Sequence, residues 1–107
     1  MIWEIQAKEV EIRVREKAFL SEEDYGVSLM RKAFAVDDGP LTDMSQVRNE
    51  REATSHLFAG SIGLFKNPSS HREVDWEDPK ECAELVYLAN QLIRIVERYS
   101  AMKKTDT

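Results

Sequence analysis

The run Lys66-Asn67-Pro68-Ser69-Ser70-His71 gathers the side chains best suited to chemistry, with a cation, an amide and an imidazole in one short stretch. Imidazole ionises close to neutral pH, so His71 can take a proton from a ribose 2′-hydroxyl or return one to a leaving 5′-oxygen. The Lys66 ammonium can stabilise charge developing on phosphorus-bound oxygens, and Asn67 can orient the loop or contact phosphate. That combination suits RNA cleavage and requires no metal and no cofactor. A single histidine does not easily act as both acid and base. Two chains that bring their His71 rings into one cleft, each lined by its own Lys66, supply both, so this chemistry predicts a homodimer. Arg48 and Arg51, one turn apart, and Arg72 are candidate contacts to the RNA backbone.

Each of these residues also has a plainer reading. A lysine near a helix C-terminus is favoured by the helix dipole alone, Asn-Pro is an ordinary stop signal, and an arginine pair is commonly a solvated face. His56 shares a helix face with Ala59, Gly60 and Gly63 and is expected to be hydrogen-bonded inside or exposed, not catalytic. Cys82 falls beside Val86 and Ile93, where a small buried hydrophobe is the better reading. Trp3 belongs to an apolar stripe, and Trp76 can staple the start of the last helix instead of stacking on a base.

The elements that must position the motif read as helices. A long one spans Ser45 to Lys66, with Val47, Ala53, Leu57, Phe58, Leu64 and Phe65 on its apolar arc. Gly60 and Gly63 on its other side suggest a closely approaching backbone, since glycine costs a helix interior about 1 kcal/mol against alanine. Asn67-Pro68 stops this helix near Lys66. Asp78-Pro79-Lys80-Glu81 carries a cap, a first-turn proline and a reaching glutamate, and starts a helix to about Ser100. Its wide arc, including Leu85, Ala89, Leu92, Val96 and Tyr99, predicts several neighbours and a central position. Residues 2–19 alternate like a strand at Val10, Ile12 and Val14, but Trp3, Ala7, Val10, Val14 and Ala18 keep helical spacing for longer, so a helix is expected. A second stripe of Ile5, Ile12 and Phe19 on its opposite face hints at a partner chain. A short helix from Ser28 to Ala35, with Leu29, Met30, Ala33 and Phe34 inward, precedes the Asp37-Asp38-Gly39-Pro40 turn. The fold class is therefore an all-α bundle of three to four helices in one domain, 1–107, with 101–107 frayed.

At 107 residues, 42% hydrophobic and 33% charged, the chain has the length and balance of one globular domain. Folding at this size buries roughly two thirds of the unfolded surface, enough for one core. No apolar stretch approaches the ~18 residues of a membrane span, and Glu4 and Lys8 interrupt any secretory apolar region, so the expected location is cytoplasmic, with no membrane partner. One cysteine excludes an internal disulfide and a thiolate metal site. The absence of a phosphate-cradling glycine loop and of His-Glu-x-x-His removes the usual signatures of nucleotide and zinc hydrolysis. Fifteen basic against twenty acidic side chains give a net charge of −5, which lacks the overall positive field of a dedicated duplex DNA binder. The stretch from Ser45 to Arg72 is nevertheless locally basic and holds both histidines, while Glu73 to Glu84 is strongly acidic.

The run Leu57-Phe58-Ala59-Gly60-Ser61-Ile62-Gly63-Leu64-Phe65-Lys66-Asn67-Pro68-Ser69-Ser70-His71, with Ser28-Leu29-Met30-Arg31-Lys32-Ala33-Phe34 upstream and Asp78-Pro79 downstream, resembles the C-terminal domain of the prokaryotic Ymh-type hypothetical proteins. The similarity covers about residues 10 to 100. That family looks like a member of the HEPN superfamily, which implies a dimeric helical bundle and, in many members, a metal-independent ribonuclease of toxin–antitoxin, abortive-infection or CRISPR-associated defence systems. The superfamily's motif is an arginine, a polar residue, three variable residues and a histidine. Asn67 and His71 match it, and Lys66 stands where arginine is expected. Lysine keeps the charge but lacks the planar fork that grips two phosphate oxygens.

Ymh-type proteins usually carry sequence before this region, which implies a shortened product or an excised domain and an uncovered second stripe on the first helix. The resemblance thus implies an RNA-binding, RNA-cleaving dimer. The alternative is an inactive HEPN-like interaction module that docks an antitoxin or another protein partner, a reading favoured by the lysine and the acidic surface.

Overall fold

A computed structural model describes residues 2–66 and 78–105, with side chains at 5–64 and 78–103. Four α-helices form its framework: α1 (Ile2–Ala18), α2 (Gly26–Ala33), α3 (Arg48–Ser61) and α4 (Pro79–Thr105). No strand occurs among the described residues. The expected all-α class is what the chain adopts.

In α1 the buried apolar residues are Ala7, Val10, Val14 and Ala18, a spacing of three and four that only a helix gathers on one face. The helix closes with paired bonds, the Leu20 N–H donating to the Arg15 carbonyl (3.0 Å) and the Phe19 N–H to that of Glu16 (3.2 Å). This closure places Phe19 in the left-handed region, at φ 57, where glycine is usual.

Helix α2 starts at Gly26, whose φ of 61 requires a residue without a Cβ. Its N–H donates to the Glu11 carboxylate at 3.0 Å, so α1 supplies the anion that satisfies the positive end of α2. Leu29, Met30, Ala33 and Phe34 are buried as expected. The turn that follows closes on Gly39, where a Cβ would overlap the Thr42 hydroxyl and the backbone of Ala33 and Ala35.

Helix α3 runs back along α2: the Phe34 and Phe58 rings stack at 4.1 Å, Arg51 bonds to the Val36 carbonyl, and Gly63 faces Val27. Its buried face differs from the expected arc. Phe58 is buried, but Val47 (63% exposed), Leu57 (41%) and Leu64 (62%) face solvent, and Ala59, Ser61 and Ile62 are inside. Because Phe58 must stack on Phe34, the helix is rotated toward its small-residue side, and the polar first turns leave few apolar atoms to oppose that rotation. Gly60 has nothing within 4 Å of a built Cβ, whereas a Cβ at Gly63 would lie 3.0 Å from the Val27 methyl. Close approach therefore holds at Gly63 and not at Gly60.

Asp78 caps α4 through the Lys80 N–H (3.1 Å), and the helix continues through Thr105, past the expected end at Ser100 and into the stretch expected to fray. It packs chiefly on α1 through Leu85, Ala89, Leu92, Val96 and Tyr99. The two helices run in the same direction, since Arg13 (2.8 Å) and Lys17 (3.7 Å) both reach Glu97 while Glu16, Lys17 and Phe19 share a cavity with Ser100 and Lys103. Arg13 also donates to Glu9, and these bonds, that of Glu97 first, raise its pKa above the ordinary value. The central helix is α1, which touches α2, α4 and the end of α3; the expectation that the last helix is central is corrected. Each fully buried aliphatic side chain along this seam contributes about 1.5–3 kcal/mol. On the second stripe of α1, Ile5 (66%) and Phe19 (92%) are exposed and Ile12 is half-buried.

Candidate functional site

The approach to the motif is built by α3. Val47 provides an extended N-cap, its carbonyl accepting from the Glu50 and Arg51 N–H groups, and Glu50 complements the dipole in the first turn. Phe58, Ala59 and Ile62 anchor the C-terminal half in the core. From Ile62 to Lys66 the backbone widens into a π-helical turn that contacts both α1 and α2. Such turns need a local reason, because the wider ring loosens the regular ladder, and they recur at functional positions. Gly63 within the turn lets it press on Val27. The turn delivers the Lys66 backbone directly ahead of Asn67, and the next described residue, Asp78, is bonded into the first turn of α4.

The expected catalytic set is thus placed in part. The Lys66 backbone ends the π-helical turn. Asn67, His71 and Arg72 lie outside the described residues, as do the Asn67-Pro68 stop, the expected staple at Trp76, and the side chains of Trp3, Phe65 and Lys66.

The two arginines on α3 are engaged within the chain. Arg48 donates to Asp37 (2.9 Å) and to Glu52 (3.2 Å), with 59% of its side chain exposed. Arg51 is only 15% exposed; its guanidinium bonds to the Val36 carbonyl and approaches Asp37 at 4.0 Å. Both tie the start of α3 to the loop after α2. Arg48 is reachable by a phosphate that displaces a surface ion pair, an exchange of small cost, whereas Arg51 would have to abandon a half-buried carbonyl.

His56 is exposed and stands apart from any buried polar network. Cys82 is half-buried and packs against the core, as a small hydrophobe does. No group of three or more His, Cys, Asp or Glu side chains that could hold a metal occurs among the described residues. No described helix is long and apolar enough to cross a membrane.

Two features escaped the reading of residue types. Glu11 is 4% exposed and caps α2 from α1. Its position next to Val10 and three before Val14 puts it on the buried stripe, and that placement was the available signal. Phe19 follows a helix end with no glycine to announce the left-handed closure, so nothing local marked it.

Comparisons with curated proteins and with solved structures return no match. The family described as "Protein of unknown function (Hypoth_ymh)" matches residues 5–96, which takes in α1, α2, α3, the motif from Lys66 to His71 and most of α4. Over that span of the sequence, the chain belongs to the Hypoth_ymh family.

Proposed function

We propose that this chain is an HEPN-like RNA-binding domain that acts as a metal-independent endoribonuclease in a cytoplasmic prokaryotic defence or toxin–antitoxin system. Lys66, Asn67 and His71 are its working residues, and two copies pair to complete the site. The observation that carries the reading is the junction at the end of α3, where a π-helical turn held by α1 and α2 leads straight into Asn67 and, four residues on, His71.

The chemistry needs only the RNA and two imidazoles. One neutral His71 takes the proton of a 2′-hydroxyl as its oxygen attacks the adjacent phosphorus. The bond from phosphorus to the 5′-oxygen breaks, and the second copy's protonated His71 donates to that leaving oxygen. The products are a 2′,3′-cyclic phosphate and a 5′-hydroxyl. Lys66 offsets the charge gathering on the non-bridging oxygens, and Asn67 holds phosphate or loop.

A second reading, an inactive interaction or dimerisation module, draws support from a separate observation. Arg48 and Arg51 spend their guanidiniums inside the chain, while Ile5, Phe19, Leu57 and Leu64 face solvent. Incubating the purified chain with varied RNAs in EDTA separates the two. Cleavage that persists under chelation and disappears in His71→Ala supports the nuclease, and intact RNA throughout supports the module.

A further inference from the structure

The C-terminal ends of α1 and α4 and the turn after α2 enclose a cavity of about 430 Å³, within the roughly 300–1,000 Å³ typical of small-molecule sites. Phe19, Pro40 and Leu41 supply its apolar walls. Phe19 holds the left-handed position that closes α1, which glycine adopts more easily, and its ring is 92% exposed, so the fold gains little from the aromatic group. A bulky residue kept in that conformation at the wall of a cavity is placed for contact with something outside the chain. About 150 Å³ already accepts benzene, so a phenyl ring fits here with space for a polar head beside it.

The polar groups on the same cavity specify that head. Glu16 and Lys103 line it, and neither has an ion pair among the described residues. Lys17 adds a second ammonium, shared with Glu97 at 3.7 Å. Ser100 also lines the cavity and is only 8% exposed, yet its hydroxyl has no hydrogen-bond partner among the described residues. Inside a helix such a hydroxyl can bond the carbonyl four residues back, as Thr54 does to Glu50 at 3.1 Å. Left unbonded in a buried position it costs free energy until an acceptor meets it. An aromatic acid would answer Lys103 and Ser100 but repel Glu16, and an aromatic amine would do the reverse. An α-amino acid carries both charges on one carbon and answers all three.

We propose that this cavity binds a free α-amino acid with an aromatic side chain. The ring lies against Phe19 and Leu41, the carboxylate meets Lys103 and the Ser100 hydroxyl, and the ammonium meets Glu16. Helix α4 is 27 residues long, about 40 Å, and sets this cavity at the opposite end from Asp78, so the site is separate from the Lys66-to-Asp78 junction and does not rest on the RNA reading.

Chemical-shift titration of the full chain with L-phenylalanine tests it. The amino acid saturates one site per chain, with the shifts centred on residues 16–19, 40–41 and 100–103. 3-Phenylpropionate and 2-phenylethylamine keep the ring but lack one charged group each, and both bind at least about tenfold more weakly. Glu16→Gln weakens L-phenylalanine by about tenfold and does not weaken 3-phenylpropionate. Lys103→Gln weakens L-phenylalanine by a similar factor and does not weaken 2-phenylethylamine. His71→Ala, which probes the RNA reading, binds the amino acid as the wild type does. Absence of saturable binding, equal affinity for the three compounds, or undiminished L-phenylalanine binding by Glu16→Gln and Lys103→Gln overturns the proposal.

Discussion

Gly39 and Gly60 show how differently one residue type is constrained in this chain. A Cβ at Gly39 would strike the Thr42 hydroxyl and two stretches of backbone, which cannot yield as a side-chain tip can. Gly39→Ala is expected to cost about 1–3 kcal/mol, read as a lower midpoint in urea. At Gly60 there is open space and a helical backbone, so Gly60→Ala is expected to gain roughly 0.5–1 kcal/mol, whereas Gly63→Ala loses that gain by pressing on Val27. The sequence grouped Gly60 and Gly63 together, because spacing along a helix says which side a residue is on but not which neighbour lies there. Lys66 carries the prediction about chemistry. Restoring the planar fork with Lys66→Arg is expected to raise the cleavage rate severalfold in a timed RNA assay, and a lower rate would count against phosphate contact at that position.

Helices were legible where one helically spaced apolar stripe or a cap marked them. The α1 stripe, the inward set of α2 and the Asp78 cap of α4 all match their expected roles. The facing of α3 was not legible, because its apolar residues are spread around the cylinder and stacking of Phe58 on Phe34, a tertiary contact, decides the rotation. The same cause hid the central helix: α4 is apolar over a wide arc, but α1 has α2 and α4 on either side of it. The corrected facing makes a paired prediction. Ile62→Ala is expected to destabilise by about 2–5 kcal/mol, while Leu57→Ser, on the arc expected to be buried, stays within about 0.5 kcal/mol. Thermal melts of the two variants distinguish the observed rotation from the expected one. Leu92→Ala, in the seam between α1 and α4, belongs with Ile62→Ala in both direction and size.

As a whole molecule the chain belongs to the Hypoth_ymh family, its described residues form four α-helices, and the Lys66-to-His71 stretch falls between α3 and α4 in sequence. Helical spacing of the apolar residues conveyed the all-α class. The motif stood out as a string of residue types, since a cation, an amide and an imidazole need only be close in sequence to be noticed. The pairing proposed for it depends on the surface of the assembled chain, which no local pattern encodes. If the proposed reading holds and Lys66 contacts phosphate, RNA binding is expected to weaken as salt rises, measured as the slope of log affinity against log salt, despite the acidic net charge.

The most direct measurement is the identity of the RNA ends produced in EDTA by the wild type and by His71→Ala. The account predicts 2′,3′-cyclic phosphate and 5′-hydroxyl ends from the wild type and intact RNA from the variant. Ends bearing a 5′-phosphate, or the same products from both proteins, would contradict it.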